Sequence, residues 1–307
     1  MIHSIRQILS DQLSGDEQLA GMLAAYNGAP ALFYQSAPSD SRGGWGQPRY
    51  PRVDFSMDTR HDPERKAQGA LTFNIWCTSE CIPCGSIDPD KAIERRLVEL
   101  VGGTFYSGPD GQTVCAEWER SDEFLASEAR DKTSHPKVYG TTVTFALLEF
   151  PEQISTSPDP IQGLNAWTKK YFPSMTAVAY DTMPPVWKPS DVAPAIYWRA
   201  EGAASGNRQN YSVIWFTGTF AAHIIAPSVT ERNKWAKAII ERAQIDGEVV
   251  LADTSPMFIN QIAVRHNADP LRDGQLSLTG QYGVLAQAYK EPAQIKLLHP
   301  YYNPAKK

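Results

Sequence analysis

Four cysteines are the residues in this chain best equipped for chemistry. Cys77, Cys81 and Cys84 are spaced x3 and x2, and Cys115 follows. Thiolates at such spacing can hold an iron–sulfur cluster, or three corners of a zinc site with Cys115 as the fourth. Cys77 ends one expected strand and Cys115 sits in another, so a disulfide between them is an alternative if those strands are adjacent. Reduced, unligated thiols are the third reading, the ordinary one for a protein folded in the cytoplasm. Of these, a structural zinc is possible but not favoured, and no cofactor is expected.

The six histidines, His3, His61, His135, His223, His266 and His299, are scattered, and none pairs with another ligand at helical spacing. His223 and His266 fall in expected strands and read as satisfied sheet histidines. The chain has no Gly-x-Ser-x-Gly elbow and no phosphate-binding Gly-x-x-x-x-Gly-Lys loop. Glu117 and Glu119 share a strand face, but acid–base work needs an opposing carboxylate across a cleft. The strand aromatics Trp76, Trp118, Trp198, Trp215 and Tyr282 read as core or interface anchors. The chain therefore reads as a non-enzyme.

The elements that position these residues are a strand running into a helix, written twice. In residues 69–101, Leu71, Phe73 and Ile75 alternate with polar neighbours, the period of a half-buried strand. Asp88-Pro89 then offers an N-cap and a first-turn proline, Ile93, Leu97, Leu100 and Val101 form one helical stripe, and Gly102-Gly103 ends it. In residues 217–247, Phe220, Ala222 and Ile224 alternate. Ser228 and Glu231 make a capping box, Trp235, Ile239 and Ala243 make the stripe, and Gly247 stops it.

The likeness extends outward. Tyr50-Pro51-Arg52-Val53-Asp54-Phe55 matches Ala193-Pro194-Ala195-Ile196-Tyr197-Trp198, a proline opening a short strand. A hairpin follows each helix, turning at Gly108-Pro109-Asp110-Gly111 and at Asp253-Thr254-Ser255-Pro256. Alternating strands at 140–150 and 275–285 close each copy, and helices at 2–26 (broken near Gly15) and 161–172 open them. The expected fold is α+β: two tandem copies of a helix–strand–strand–helix–hairpin–strand domain, each an antiparallel or mixed sheet with helices on one face. The division is 1–151, a proline-rich linker at 152–160, and 161–307.

The chain has 307 residues, 42% hydrophobic and 21% charged, a globular composition. Residues 1–157 carry 14 Lys+Arg against 22 Asp+Glu, and residues 158–307 carry 15 against 12, so balances of −8 and +3 make the net −5. Neither half has the clustered basic face of a nucleic-acid binder. Opposite charge on the two halves fits docking between neighbours. No apolar run reaches the ~18 residues of a membrane span, and the N-terminus lacks a signal-peptide core, so cytoplasmic folding is expected. Residues 36–47, with an isolated Trp45, read as a mobile loop, and Pro184-Pro185 as a turn. The charged stretches 58–68 and 121–138 read as projecting contact loops. Their exposed charges, Arg60, His61, Glu64, Arg65, Lys66, Asp122, Glu123, Arg130 and Lys132, are the candidate interface residues. The tail Pro300-Tyr301-Tyr302-Asn303-Pro304 reads as a docking segment.

Read in order, residues 1–151 resemble the tail terminator, or tail-completion, family of long-tailed bacteriophages. The resemblance is carried by the helix with Ile5, Ile8 and Leu9, by Ala37-Pro38, and by Tyr50-Pro51-Arg52-Val53. Leu71-Thr72-Phe73-Asn74-Ile75-Trp76, the helix at 88–101 and the strand at 139–150 continue it. It implies a structural virion protein: a ring, here a hexamer, that caps the tail tube and joins it to the head connector after assembly in the host cytoplasm. The implied partners are further copies of the chain, the tail tube protein, the connector or neck protein and, in contractile tails, the sheath. DNA would pass through the channel without specific binding, and no membrane is involved. The second copy and the cysteine loop depart from the family's single-domain pattern. They leave open a three-subunit, pseudo-sixfold ring. Other tail or neck proteins (tube, sheath, collar) are the alternative, and a metal-binding enzyme module using the cysteine loop is the remoter one.

Overall fold

A computed structural model describes residues 4–62, 64–81, 87–125, 137–153, 156–205 and 213–285. The first half runs α1 (Ile5–Ser14), α2 (Glu17–Met22), β1 (Ala25–Tyr26), β2 (Ala29–Pro30), β3 (Leu32–Tyr34), β4 (Arg52–Asp58) and β5 (Gly69–Thr78). It continues with α3 (Pro89–Val101), β6 (Phe105–Ser107), β7 (Thr113–Leu125) and β8 (Val138–Glu149). The second half runs α4 (Pro160–Tyr171), β9 (Thr176–Ala177), β10 (Val186–Trp187), β11 (Ala195–Ser205), β12 (Val213–Ile225) and α5 (Val229–Asp246). It ends with β13 (Glu248–Val250), β14 (Pro256–Val264) and β15 (Leu276–Leu285). The class is α+β, with mixed, largely antiparallel sheets and few helices. No described helix is long and apolar enough to cross a membrane.

The expected helix over 2–26 is two short helices and a hairpin. Gly15 ends α1, its N–H bonding to Asp11 O at 3.0 Å, and Asp16 caps α2 by accepting from Leu19 N–H at 2.7 Å. Asn27 and Gly28 both have positive φ and turn β1 into β2, so Tyr26 is strand rather than helix. Asp88 holds the cap position of α3 but makes no side-chain cap bond. The next carboxylate, Asp90, is buried instead and accepts from Thr141 Oγ1 at 2.8 Å. On α5 the Ser228 cap and the Gly247 stop are present, Ser228 Oγ accepting from Glu231 N–H and Gly247 left-handed at φ 68°. The expected capping box is only half formed, because Ser228 N–H donates to Asp191 rather than to Glu231.

The first sheet has the order β10-β6-β7-β8-β5-β4-β3 and the second β13-β14-β15-β12-β11-β9. Only the end pairs β3–β4 and β9–β11 are parallel. Alternation puts Leu71, Phe73 and Ile75 of β5, with Val53, Phe55, Val143 and Phe145, on the face that meets Ile8, Leu9 and Leu13 of α1 and Ile93, Leu97 and Val101 of α3. The opposite face is polar: Asn74 Nδ2 donates to Asp54 at 2.8 Å, Trp76 Nε1 to Asp54 at 2.5 Å, and Thr142 Oγ1 to Asn74 at 2.9 Å. In the second half, α4 and α5 cover Ile196, Trp198, Phe220, Ile224 and Leu278.

Three expectations about connections are corrected. Pro184-Pro185 does not simply turn: β10, from the second half of the chain, adds an edge strand to the first sheet, Val186 opposite Tyr106 and Trp187 opposite Phe105. Residues 36–47 fold back, because Trp45 packs edge-on against Tyr26 and Phe33 and donates to Ser39 O at 3.1 Å. The linker is held rather than free. Phe150 is fully buried, Tyr197 Oη donates to Pro151 O at 2.9 Å, and Gln153 Nε2 donates to that hydroxyl.

Candidate functional site

The loop 58–68, expected to project, folds inward at its centre and clamps the two halves. Glu149 at the end of β8 is buried, and its carboxylate takes Asp62 N–H at 2.6 Å and faces His61 Nδ1 at 2.7 Å. Asp62 turns the loop by accepting from Glu64 and Ala67 N–H groups. Arg65, left-handed at φ 57°, then enters a third core made by both halves: Phe105, Cys115, Leu148 and Phe150 from one, Val178, Tyr197, Ile225 and Leu271 from the other. Its guanidinium lies 4.5 Å from the Phe150 ring centre and 5.4 Å from that of Tyr197.

One nitrogen of that guanidinium donates to Leu271 O at 2.6 Å and another faces His223 Nε2 at 3.3 Å. His223 is fully buried, as expected of a sheet histidine, and its Nδ1 lies 2.9 Å from Pro270 O. A carbonyl can only accept, so Nδ1 carries the proton and Nε2 accepts from Arg65. Burial, and then the neighbouring Arg65 charge, push the His223 pKa down to about 3, so the ring is neutral. Burial also lowers the pKa of Arg65. His266, expected in a strand, lies instead in the exposed turn after β14.

Beside the clamp, Arg272 ties the halves through polar contacts. It donates to Gln68 Oε1 at 2.6 Å, Glu117 Oε2 at 2.8 Å and Glu119 Oε1 at 3.3 Å. The two glutamates thus share a face, as their spacing implies, and an arginine occupies the place an opposing carboxylate would need. Of the other candidate interface residues, Arg60, Glu64 and Lys66 are exposed at the loop's rim, Arg60 pairing with Asp58 and Lys66 with Glu64.

Asp122 and Glu123 sit on β7, because the expected excursion at 121–138 begins as five further strand residues. Asp122 pairs with Arg120 at 2.9 Å and Glu123 with Lys91 at 2.9 Å. Arg130 and Lys132 lie outside the described residues. Toward its outer end β7 leaves Trp118 and Leu125 47% and 57% exposed, on a sheet that continues through β8 to β5 and β4. Residues 200–205 of β11 are all exposed beside β12 and β15.

The cysteines do not form one cluster. Cys77 pairs with Tyr139 and Cys115 with Leu148 on β8, nine positions apart, which is about 30 Å along a strand. They also pack into different cores. A Cys77–Cys115 disulfide and a four-cysteine zinc site including Cys115 are both excluded by this geometry. Cys81 does lie beside Cys77: a hydrogen bond from the Cys77 thiol lowers the Cys81 pKa to about 6, with Thr78 N–H also donating to its sulfur at 3.3 Å. Cys84 lies outside the described residues. Sharing that hydrogen bond, and then burial, push the Cys77 pKa well up, and burial does the same for Cys115.

A scan against protein-family models found no match to this chain, and a search of curated proteins found none either.

Proposed function

We propose that this protein is a structural virion component: a tail terminator or tail-completion ring that caps a bacteriophage tail tube and joins it to the head connector. The reading treats the halves as tandem copies of one domain. Supporting this, the orders β6-β7-β8-β5-β4-β3 and β13-β14-β15-β12-β11-β9 correspond strand for strand, with the parallel pair at the same end. The register shift at Trp118/Arg120 in β7 recurs at Ile259/Gln261 in its counterpart β14. Such bulges are placed features rather than accidents.

The observation that carries the ring reading is how the copies join. They associate head to tail, one lending an edge strand to the other's sheet, and each carries exposed strand residues, Trp118 and Leu125 on β7 and residues 200–205 on β11. Heterologous contacts of this kind, repeated around an axis, close into a ring when the rotation closes and give an open filament when it does not. The proposed partners are further copies of the chain, the tube protein, and the connector or neck protein, with a sheath in a contractile tail. The acidic residues on the outer part of β7 suit a lumen through which DNA slides without adhering.

Light scattering on the purified protein, with negative-stain images of the same fraction, tests this. Closed rings near six times 34.0 kDa, about 204 kDa, are expected. Open filaments would refute a terminator in favour of a tube or sheath protein. A monomer that stays monomeric when mixed with tube protein would refute the ring.

A further inference from the structure

The first sheet ends on a strand that its own half does not supply. β6 would be a bare edge, but β10 covers it, with Ser107 N–H donating to Pro185 O at 3.0 Å. The covering segment is Pro185-Val186-Trp187-Lys188-Pro189, whose prolines limit pairing to two residues. Lys188 Nζ then donates to Glu99 O at the end of α3, at 2.6 Å.

The second sheet ends on β13, and no described strand pairs with its outer side. Toward β14, Gly247 O accepts from Ile259 N–H and Leu251 N–H donates to Ser255 O, both at 2.9 Å. Backbone groups alternate along an antiparallel strand, so those of Glu248 and Val250 face the open side. The first sheet has the same parity: Thr104 O and Gly108 N–H face β7, while Ser107 faces β10. Val249 and Tyr106, the middle residues of the two edges, are both buried in their own cores. Beside the open edge is a pocket of about 350 Å³ lined by Trp167, Lys170 and Tyr171 of α4 with Asp246, Glu248 and Val250. Val250 is 59% exposed there. Unpaired edges with apolar residues recruit strands.

The sequence contains the pattern proline–apolar–aromatic–polar–proline twice. One instance is Pro185–Pro189 and the other is Pro300-Tyr301-Tyr302-Asn303-Pro304. We propose that this C-terminal segment adds to β13 of its own chain, closing the second sheet as β10 closes the first. The template fixes the register. Pro300 O accepts from Val250 N–H, Tyr301 lies opposite Val249 on the α4 side, and Tyr302 lies opposite Glu248. Reach is ample: residues 286–299 span up to about 45 Å extended, against roughly 15 Å from β15 to the open side of β13. The inference rests on the correspondence of the two copies and not on the virion assignment.

Residue-resolved hydrogen exchange on the full chain tests it, comparing the wild type with a full-length variant carrying Tyr301→Ser and Tyr302→Ser. The Glu248 and Val250 amides should be protected in the wild type and exchange at least about tenfold faster in the variant, at any protein concentration. Unprotected amides in the wild type, or protection the variant retains, would overturn the proposal. Protection that is lost on dilution would overturn it too, because the occupant would then be a second copy. The Ser107 amide is read in the same run: if it is protected while Val250 is not, tail docking fails but the template stands. If Ser107 itself is unprotected, the correspondence of the copies fails.

Discussion

Replacing Arg65 by alanine should loosen the junction between the halves more than any surface substitution. The change removes two hydrogen bonds from a charged donor, to Leu271 O and His223 Nε2, each worth about 1.5–3 kcal/mol when its partner is left buried. It also removes a cation held between the Phe150 and Tyr197 rings, worth about 1–2 kcal/mol in a dry setting. Water can enter the vacated space and such terms are not additive, so the net loss should be about 3–5 kcal/mol. At roughly 2–4 °C per kcal/mol, the melting temperature should fall by about 6–20 °C. Guanidinium unfolding followed by tryptophan fluorescence measures the free energy, and calorimetry measures the shift. Arg65→Met separates the causes, because it keeps an apolar stem against both rings while orphaning both acceptors. It should lose nearly as much as alanine. A loss below about 1 kcal/mol for Arg65→Ala, or a wild-type-like Arg65→Met, would refute the donor argument.

Two further outcomes follow from the titrating groups. Between pH 6.5 and about 3 the unfolded chain protonates His223 while the folded one does not, so stability should fall as pH falls, by up to about 1.4 kcal/mol per unit, and be flat above. His223→Gln, which can still meet Arg65 and Pro270, should flatten that slope between pH 6 and 4; equal slopes in unfolding curves would contradict the assignment. Cys81, with its pKa near 6, should be alkylated by iodoacetamide at a rate already near its plateau at pH 7, while buried Cys77 and Cys115 stay unlabelled in the folded protein. Peptide mapping in a Cys84→Ser background reads this, and a Cys81 rate that climbs tenfold from pH 7 to 8 would rule it out.

Much of the second-order detail was readable where a local device sets it. The Ser228 cap, the Gly247 stop, the two hairpin turns and the alternation of Leu71, Phe73 and Ile75 each depend on neighbours a few residues away, and each appears in the structure. Asn27-Gly28, between Tyr26 and Ala29, is a strong hairpin dipeptide, and it outweighs the apolar stripe that predicts helix as far as Tyr26. β7 and β11 run on through residues 118–125 and 200–205, where most side chains are exposed and the sequence lacks alternation.

The sequence by itself determined the α+β class and the succession of the long strands and helices, but not the short strands β1, β2, β3, β9 and β10. Side-chain period, caps and turns act over one or two turns of chain, and they are written in the residues concerned. It could not determine what those elements meet. Arg65 reads as a surface charge in a polar loop, and is a half-buried clamp only because a carbonyl 206 residues away offers an acceptor in the seam. Pro184-Pro185 reads as a turn, and Val186 and Trp187 beyond it are strand only because β6 presents an unpaired edge from the other half. Cys77 and Cys115 seemed able to meet, and the register across β8 holds them apart. Such pairings are chosen by which surfaces remain unsatisfied once the local elements have formed, and that exists only in three dimensions.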